Sequence, residues 1–93
     1  MRIIGNIEHA ILKITVFKMD NKFSVKFESG LYEQIYKFRS SDTIKGLEDI
    51  QKMVDVPFCE EVLQDLNRMH QRKNQAMARN LPQETGMEFE EII

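Results

Sequence analysis

Residues 10–39 read AILKITVFKM-DN-KFSVKFE-SG-LYEQIYKFR. Three runs of alternating apolar and polar residues are separated by two short pairs that accept turn geometry. Strict alternation places successive side chains on opposite faces of a sheet, so each run predicts a strand with one buried face. Asp20-Asn21 suits a two-residue hairpin loop because both residues tolerate positive φ, and Ser29-Gly30 offers a second.

The two loops predict a register. With Asp20-Asn21 as the first loop, Val16 faces Val25, Ile14 faces Phe27 and Lys13 faces Glu28. With Ser29-Gly30 as the second, Phe27 faces Tyr32, Lys26 faces Glu33 and Phe23 faces Tyr36. Apolar residues then meet apolar ones and lysines meet glutamates, each pair contributing a few tenths to about 1 kcal/mol. The predicted inner face is Leu12, Ile14, Val16, Phe23, Val25, Phe27, Tyr32, Tyr36 and Phe38. Gln34 falls on that face and requires a hydrogen-bond partner or an edge position.

Upstream, residues 1–9 form a lead-in whose apolar run is interrupted by Gly5-Asn6, read as a short strand or an arm lying on the sheet edge. Downstream, Ser40-Ser41-Asp42-Thr43 predicts a helix start. Ile44, Leu47, Ile50 and Val54 follow at helical spacing, and Gly46 is expected to mark a close packing contact. Asp55-Val56-Pro57 ends this short helix. A longer one then runs from about Pro57 to Asn80, with Phe58, Cys59, Val62, Leu63, Leu66, Met69, His70 and Met77 in one apolar arc. Acids precede bases along it, in the sense that favours the helix dipole. Lys73 falls inside the apolar arc, so the helix is expected to leave the sheet near His70 and project.

The expected fold is α+β: a three-stranded antiparallel meander with one face covered by a short helix and a longer C-terminal helix (β-β-β-α-α). Residues 1–81 form the domain, and 82–93 form an acidic tail expected to be flexible or to order on a partner. The chain has 93 residues, a formal net charge of −2 and a pI near 5.7, which disfavours a generally basic nucleic-acid binder. A single cysteine excludes an internal disulfide. No apolar run is long enough for a signal peptide or a membrane span, so a cytoplasmic location is expected.

No residue set reads as catalytic. Cys59 and His70 share a helix face but stand eleven residues apart, about 16 Å along a helix. His9 and His70 lack further ligands at metal spacing, so neither a metal nor a cofactor is expected, and no enzymatic activity. The outer sheet face is the candidate interaction surface. It carries Lys13, Phe17, Lys26, Ile35, Lys37 and Arg39, with Phe17, Ser24 and Ile35 in one cross-strand row. Met77, Phe89, Ile92 and Ile93 are candidate oligomer or partner contacts, the last three in a segment able to add to a sheet edge. These features predict a non-enzymatic binding or assembly module with a protein partner, a second copy first, as a homodimer. The alternative is a nucleic-acid-binding module that uses the basic outer face, with Phe17 as a stacking platform.

Overall fold

The computed structural model describes residues 1–80. Its sheet has four antiparallel strands in chain order: β1 Arg2–Ile7, β2 Lys13–Met19, β3 Lys22–Ser29 and β4 Tyr32–Arg39. Helices α1 Leu47–Met53 and α2 Val56–Asn80 follow. The class is α+β, with one strand more than the sequence predicted. The additional strand is the lead-in, which covers the edge of β2 and leaves β1 and β4 as the sheet edges. Tail residues 82–93, with Phe89, Ile92 and Ile93, lie outside the described residues.

β1 is irregular for a definable reason. Ile3 pairs with Phe17 and Gly5 with Val16, which leaves Ile4 unpaired in a bulge. A bulge inserts one extra residue and shifts the alternation that follows. Ile3 therefore shares the outer face with Phe17, while Ile7 shares the inner face with Ile14. Gly5 admits α1: a Cβ there would stand 2.5 Å from Leu47 Cδ2. Residues 8–12 turn the chain into β2. The His9 Nδ1 accepts the backbone N–H groups of Ile11 and Leu12 at 3.1 Å each, so β2 begins at Lys13 rather than at Ala10.

The first hairpin has the predicted register, with Val16 opposite Val25, Ile14 opposite Phe27 and Lys13 opposite Glu28. The second differs by two residues. Ser29 is not in the loop but pairs with Tyr32, so the loop is Gly30-Leu31, and Phe27 faces Gln34, Lys26 faces Ile35 and Val25 faces Tyr36. The two loops share one requirement. The first residue of each has positive φ, Asp20 at 49° and Gly30 at 61°. Placing glycine first, where the left-handed backbone is needed, carries Leu31 into the loop at 83% exposure. A two-residue slip preserves which face each side chain occupies. The inner face is therefore as predicted, although the Lys26–Glu33 pairing is lost and Glu28 faces Glu33.

Leu12, Ile14, Val16, Phe23, Val25 and Phe27 are buried in the core, with Tyr32, Tyr36 and Phe38 packed against it. Gln34 lies on edge strand β4 and accepts a 2.8 Å hydrogen bond from the Tyr36 hydroxyl. Lys18 closes the far end of this face, its Nζ 4.7 Å above the Phe23 ring. The helices contribute Ile50, Val54, Cys59, Val62 and Leu66. α1 is shorter than predicted. The Ser41 hydroxyl oxygen accepts the N–H groups of Thr43 and Ile44 at 3.2 Å, which makes a local turn, and the helix starts only after Gly46. A Cβ at Gly46 would meet nothing within 4 Å, so the packing contact predicted there is absent.

Asp55 caps α2, its Oδ1 accepting the Phe58 N–H at 3.1 Å. The first turn of α2 contains no acid, since Glu60 and Glu61 fall one turn later than the predicted dipole arrangement required. Phe58 packs on Phe27 and Tyr36 while His70 packs on Tyr32, so α2 runs antiparallel to β4. Beyond His70 every residue to Asn80 is exposed except Ala76, which is half-buried. The helix thus projects past the β3–β4 loop over its last ten residues, about 15 Å.

The two loop residues are expected to respond differently to substitution. Gly30→Ala must hold a side chain at φ 61° and is expected to cost about 1 kcal/mol in urea unfolding. Leu31→Ala is expected to change stability by under about 0.5 kcal/mol. Equal costs would show that the loop is not Gly30-Leu31.

Candidate functional site

The helices pack on the inner face, so the outer face is the sheet surface they leave free. Its rows follow from the register. Ile3, Phe17, Ser24 and Lys37 form one row, and Asn6, Thr15, Lys26 and Ile35 form the next. Phe17 and Ile35 are therefore diagonal neighbours rather than members of one row. Lys13, Glu28 and Glu33 form a third row, and Met19, Lys22 and Arg39 a fourth.

Ser24 and Thr15 occupy the middle of the face and are buried by their larger neighbours, at 6% and 5% exposure. Small side chains at the centre leave a hollow between Phe17, Ile35, Met1 and Met19, with Lys26 and Lys37 at its margin. Its volume is about 280 Å³. Small-molecule sites typically occupy about 300–1,000 Å³ in more enclosed settings, so this groove fits one or two anchoring side chains. Of the six residues predicted for this surface, Phe17, Lys26, Ile35 and Lys37 line the groove. Lys13 and Arg39 lie in the flanking rows.

The face is cationic. Lys13, Lys22, Lys26, Lys37 and Arg39 stand against Glu28 and Glu33, which leaves three positive charges in excess. Lys26 is the most constrained of them. Its Nζ lies 3.5 Å from Glu28 Oε1 and 5.7 Å from the centre of the Phe17 ring. Met1 and Ile3 also belong to this surface, and sequence reading missed both. The bulge at Ile4 conceals them, because Ile3 and Ile7 would share a face on a regular strand.

A second cluster sits where α2 leaves the sheet. The Tyr32 hydroxyl and His70 Nδ1 share a 2.8 Å hydrogen bond, and Asn74 Nδ2 lies 3.2 Å from His70 Nε2. The Lys73 Nζ stands 5.5 Å over the Tyr32 ring, which accounts for a lysine inside the apolar arc. Met77 lies on the projecting part, 42% exposed.

Cys59 is buried on the core-facing side of α2, whereas His70 is exposed and bound to Tyr32 and Asn74. Burial pushes the Cys59 thiol above its ordinary value, and the Asp55 carboxylate adds to the effect. Both influences suppress the thiolate that nucleophilic chemistry requires. Burial likewise raises the Tyr36 phenol, with Asp65 and Glu61 adding to it. Among the described residues no group of three His, Cys, Asp or Glu side chains is placed to hold a metal ion. No described helix is long and apolar enough to cross a membrane. No family model matches this chain, and no curated protein or solved structure matches it either.

The Cys59 environment predicts a thiol that is neutral at pH 8. Its reaction with a disulfide reagent is expected to be at least about tenfold slower in the native chain than in denaturant. Equal rates would show that Cys59 is accessible and ionised.

Proposed function

We propose that this chain is a non-enzymatic, self-associating assembly module whose working surface is the outer sheet face. One observation carries the reading. The outer face presents an apolar groove built on Phe17 and Ile35, with Ile3 and Ile35 left 61% and 52% exposed beside it. Exposed apolar clusters rimmed by charge mark contact surfaces, and the groove dimensions suit side-chain anchors. The projecting end of α2, with Met77 on it, gives a second element that the domain itself leaves uncovered.

Binding of nucleic acid by the same face is the weaker reading. Base stacking requires an open ring face, yet Lys26 stands over Phe17 and is paired with Glu28. Part of the positive charge that would grip phosphate is thereby engaged.

Ile35→Glu tests the reading by placing a carboxylate in the groove at an exposed position. In sedimentation velocity the wild-type mass is expected to rise towards a dimer with concentration, while the variant stays at monomer mass. Thermal unfolding of the variant should change by less than about 1 kcal/mol. A wild type that remains monomeric into the millimolar range, or a variant that associates equally well, would overturn the proposal. A salt-sensitive shift of a mixed-sequence oligonucleotide, lost in Lys37→Glu, would favour nucleic acid in its place.

A further inference from the structure

Charge decides how two copies can meet on this surface. Packing one outer face on another would juxtapose two surfaces that each carry three excess cations, and like charges across an interface oppose association. The favoured occupant is acidic and brings apolar anchors. The chain contains such a segment. Residues 81–93 hold Glu84, Glu88, Glu90 and Glu91 and no lysine or arginine, together with Met87, Phe89, Ile92 and Ile93. The net charge of −2 is thus divided, with the four tail glutamates set against a two-charge positive excess in residues 1–80.

We propose that residues 87–93 of a second copy occupy the outer-face groove, with apolar side chains between Phe17 and Ile35 and glutamates against Lys37. The inference rests on the reading of the outer face as the working surface and names its occupant. For Phe89, reach favours a contact between copies over one within a single copy. Asn80 lies about 15 Å beyond the sheet end at His70. Ile35 lies about 10 Å inward from Tyr32, and α2 and the outer surface are separated by the sheet, about 10 Å more. Phe89 is nine residues from Asn80, a span of at most about 32 Å fully extended. Its own groove is therefore attainable only by a taut chain wrapped round the sheet edge. A second copy presents the same groove without that constraint. Reciprocal exchange of segments closes a two-fold dimer, and each copy then supplies one groove and one tail.

The test uses full-length chains and two variants. Phe89→Glu combined with Ile92→Glu removes the anchors, and Ile35→Glu blocks the groove. Each alone is expected to weaken self-association by about a hundredfold in analytical ultracentrifugation. Mixing the two is expected to restore a heterodimer held by one of the two contacts, tighter than either variant alone and weaker than the wild type, because the anchor variant keeps an intact groove and the groove variant an intact tail. Self-association of the wild type is expected to weaken by about tenfold from low to high salt. If the anchor variant dimerises like wild type while Ile35→Glu does not, this proposal falls and the outer-face reading stands. If neither variant changes the mass, both fall. If each variant is monomeric and the mixture also remains monomeric, exchange between copies is excluded.

Discussion

The structure depends on how Phe27 is held. It is fully buried at the centre of the inner face, its ring stacked on Phe58 at 5.4 Å and edge-on to Tyr36 at 5.7 Å. Phe58 and Tyr36 close the triangle at 5.1 Å. Such aromatic pairs contribute about 0.5–1.5 kcal/mol each beyond the area they bury. Their structural consequence is larger than that energy. They pin the first turn of α2 over β4, and the Tyr32–His70 contact pins it again three turns later. Two fixed points define the direction of a helix, so α2 must leave the sheet beyond the β3–β4 loop. The commitment of the inner face, the freedom of the outer face and the exit of Asn80 all follow from that docking.

The same chemistry explains how much the sequence could disclose. Face assignment depends only on the parity of the alternation, and parity survives a shift of two residues. Phe23, Val25 and Phe27 therefore stand on the predicted face although the second loop lies one residue later than predicted, which shifts the pairing by two. Cross-strand neighbours do not survive such a shift. Phe17 and Ile35 became diagonal, and Lys26 turned to Glu28 on its own strand, with Glu33 no longer opposite it. The requirement for positive φ at the first loop residue held the missing information, and Gly30 was its only unambiguous carrier. β1 was hidden by one unpaired residue, Ile4, because periodicity cannot be recognised across a bulge in a six-residue strand. The first helix starts later than predicted for a related reason. Ser41 satisfies a turn of its own, and Asp55, which looked like a terminator of the first helix, caps the second.

The functional surface was legible as a set of residues and illegible as a shape. Phe17, Lys26, Ile35 and Lys37 were identifiable from alternation alone. The groove between them required the four-strand register, because its floor is Ser24 and one wall is Met1, which immediately precedes β1. His70 shows the opposite case. Its place in the apolar arc implied burial, yet it lies exposed at the point where α2 parts from the sheet, hydrogen-bonded to Tyr32.

The two faces also differ in the kind of contact their chemistry supports. The inner face has branched and aromatic side chains in the middle of every central strand, and these lose heavily if exposed to water. The outer face has Thr15 and Ser24 at its centre, with apolar groups limited to Met1, Ile3, Phe17, Met19 and Ile35 and bordered by lysines. Thr15 and Ser24 are already covered by their larger neighbours, and lysine stems shield apolar surface while their ammonium groups remain in water. The outer face can therefore remain uncovered in a folded monomer, which the inner face cannot. A partner on it gains one or two anchored side chains and a few screened ion pairs, set against the loss of translational freedom. That balance favours contacts that form and release with protein concentration and salt, in contrast to the permanent docking of α2 on the other side of the same sheet.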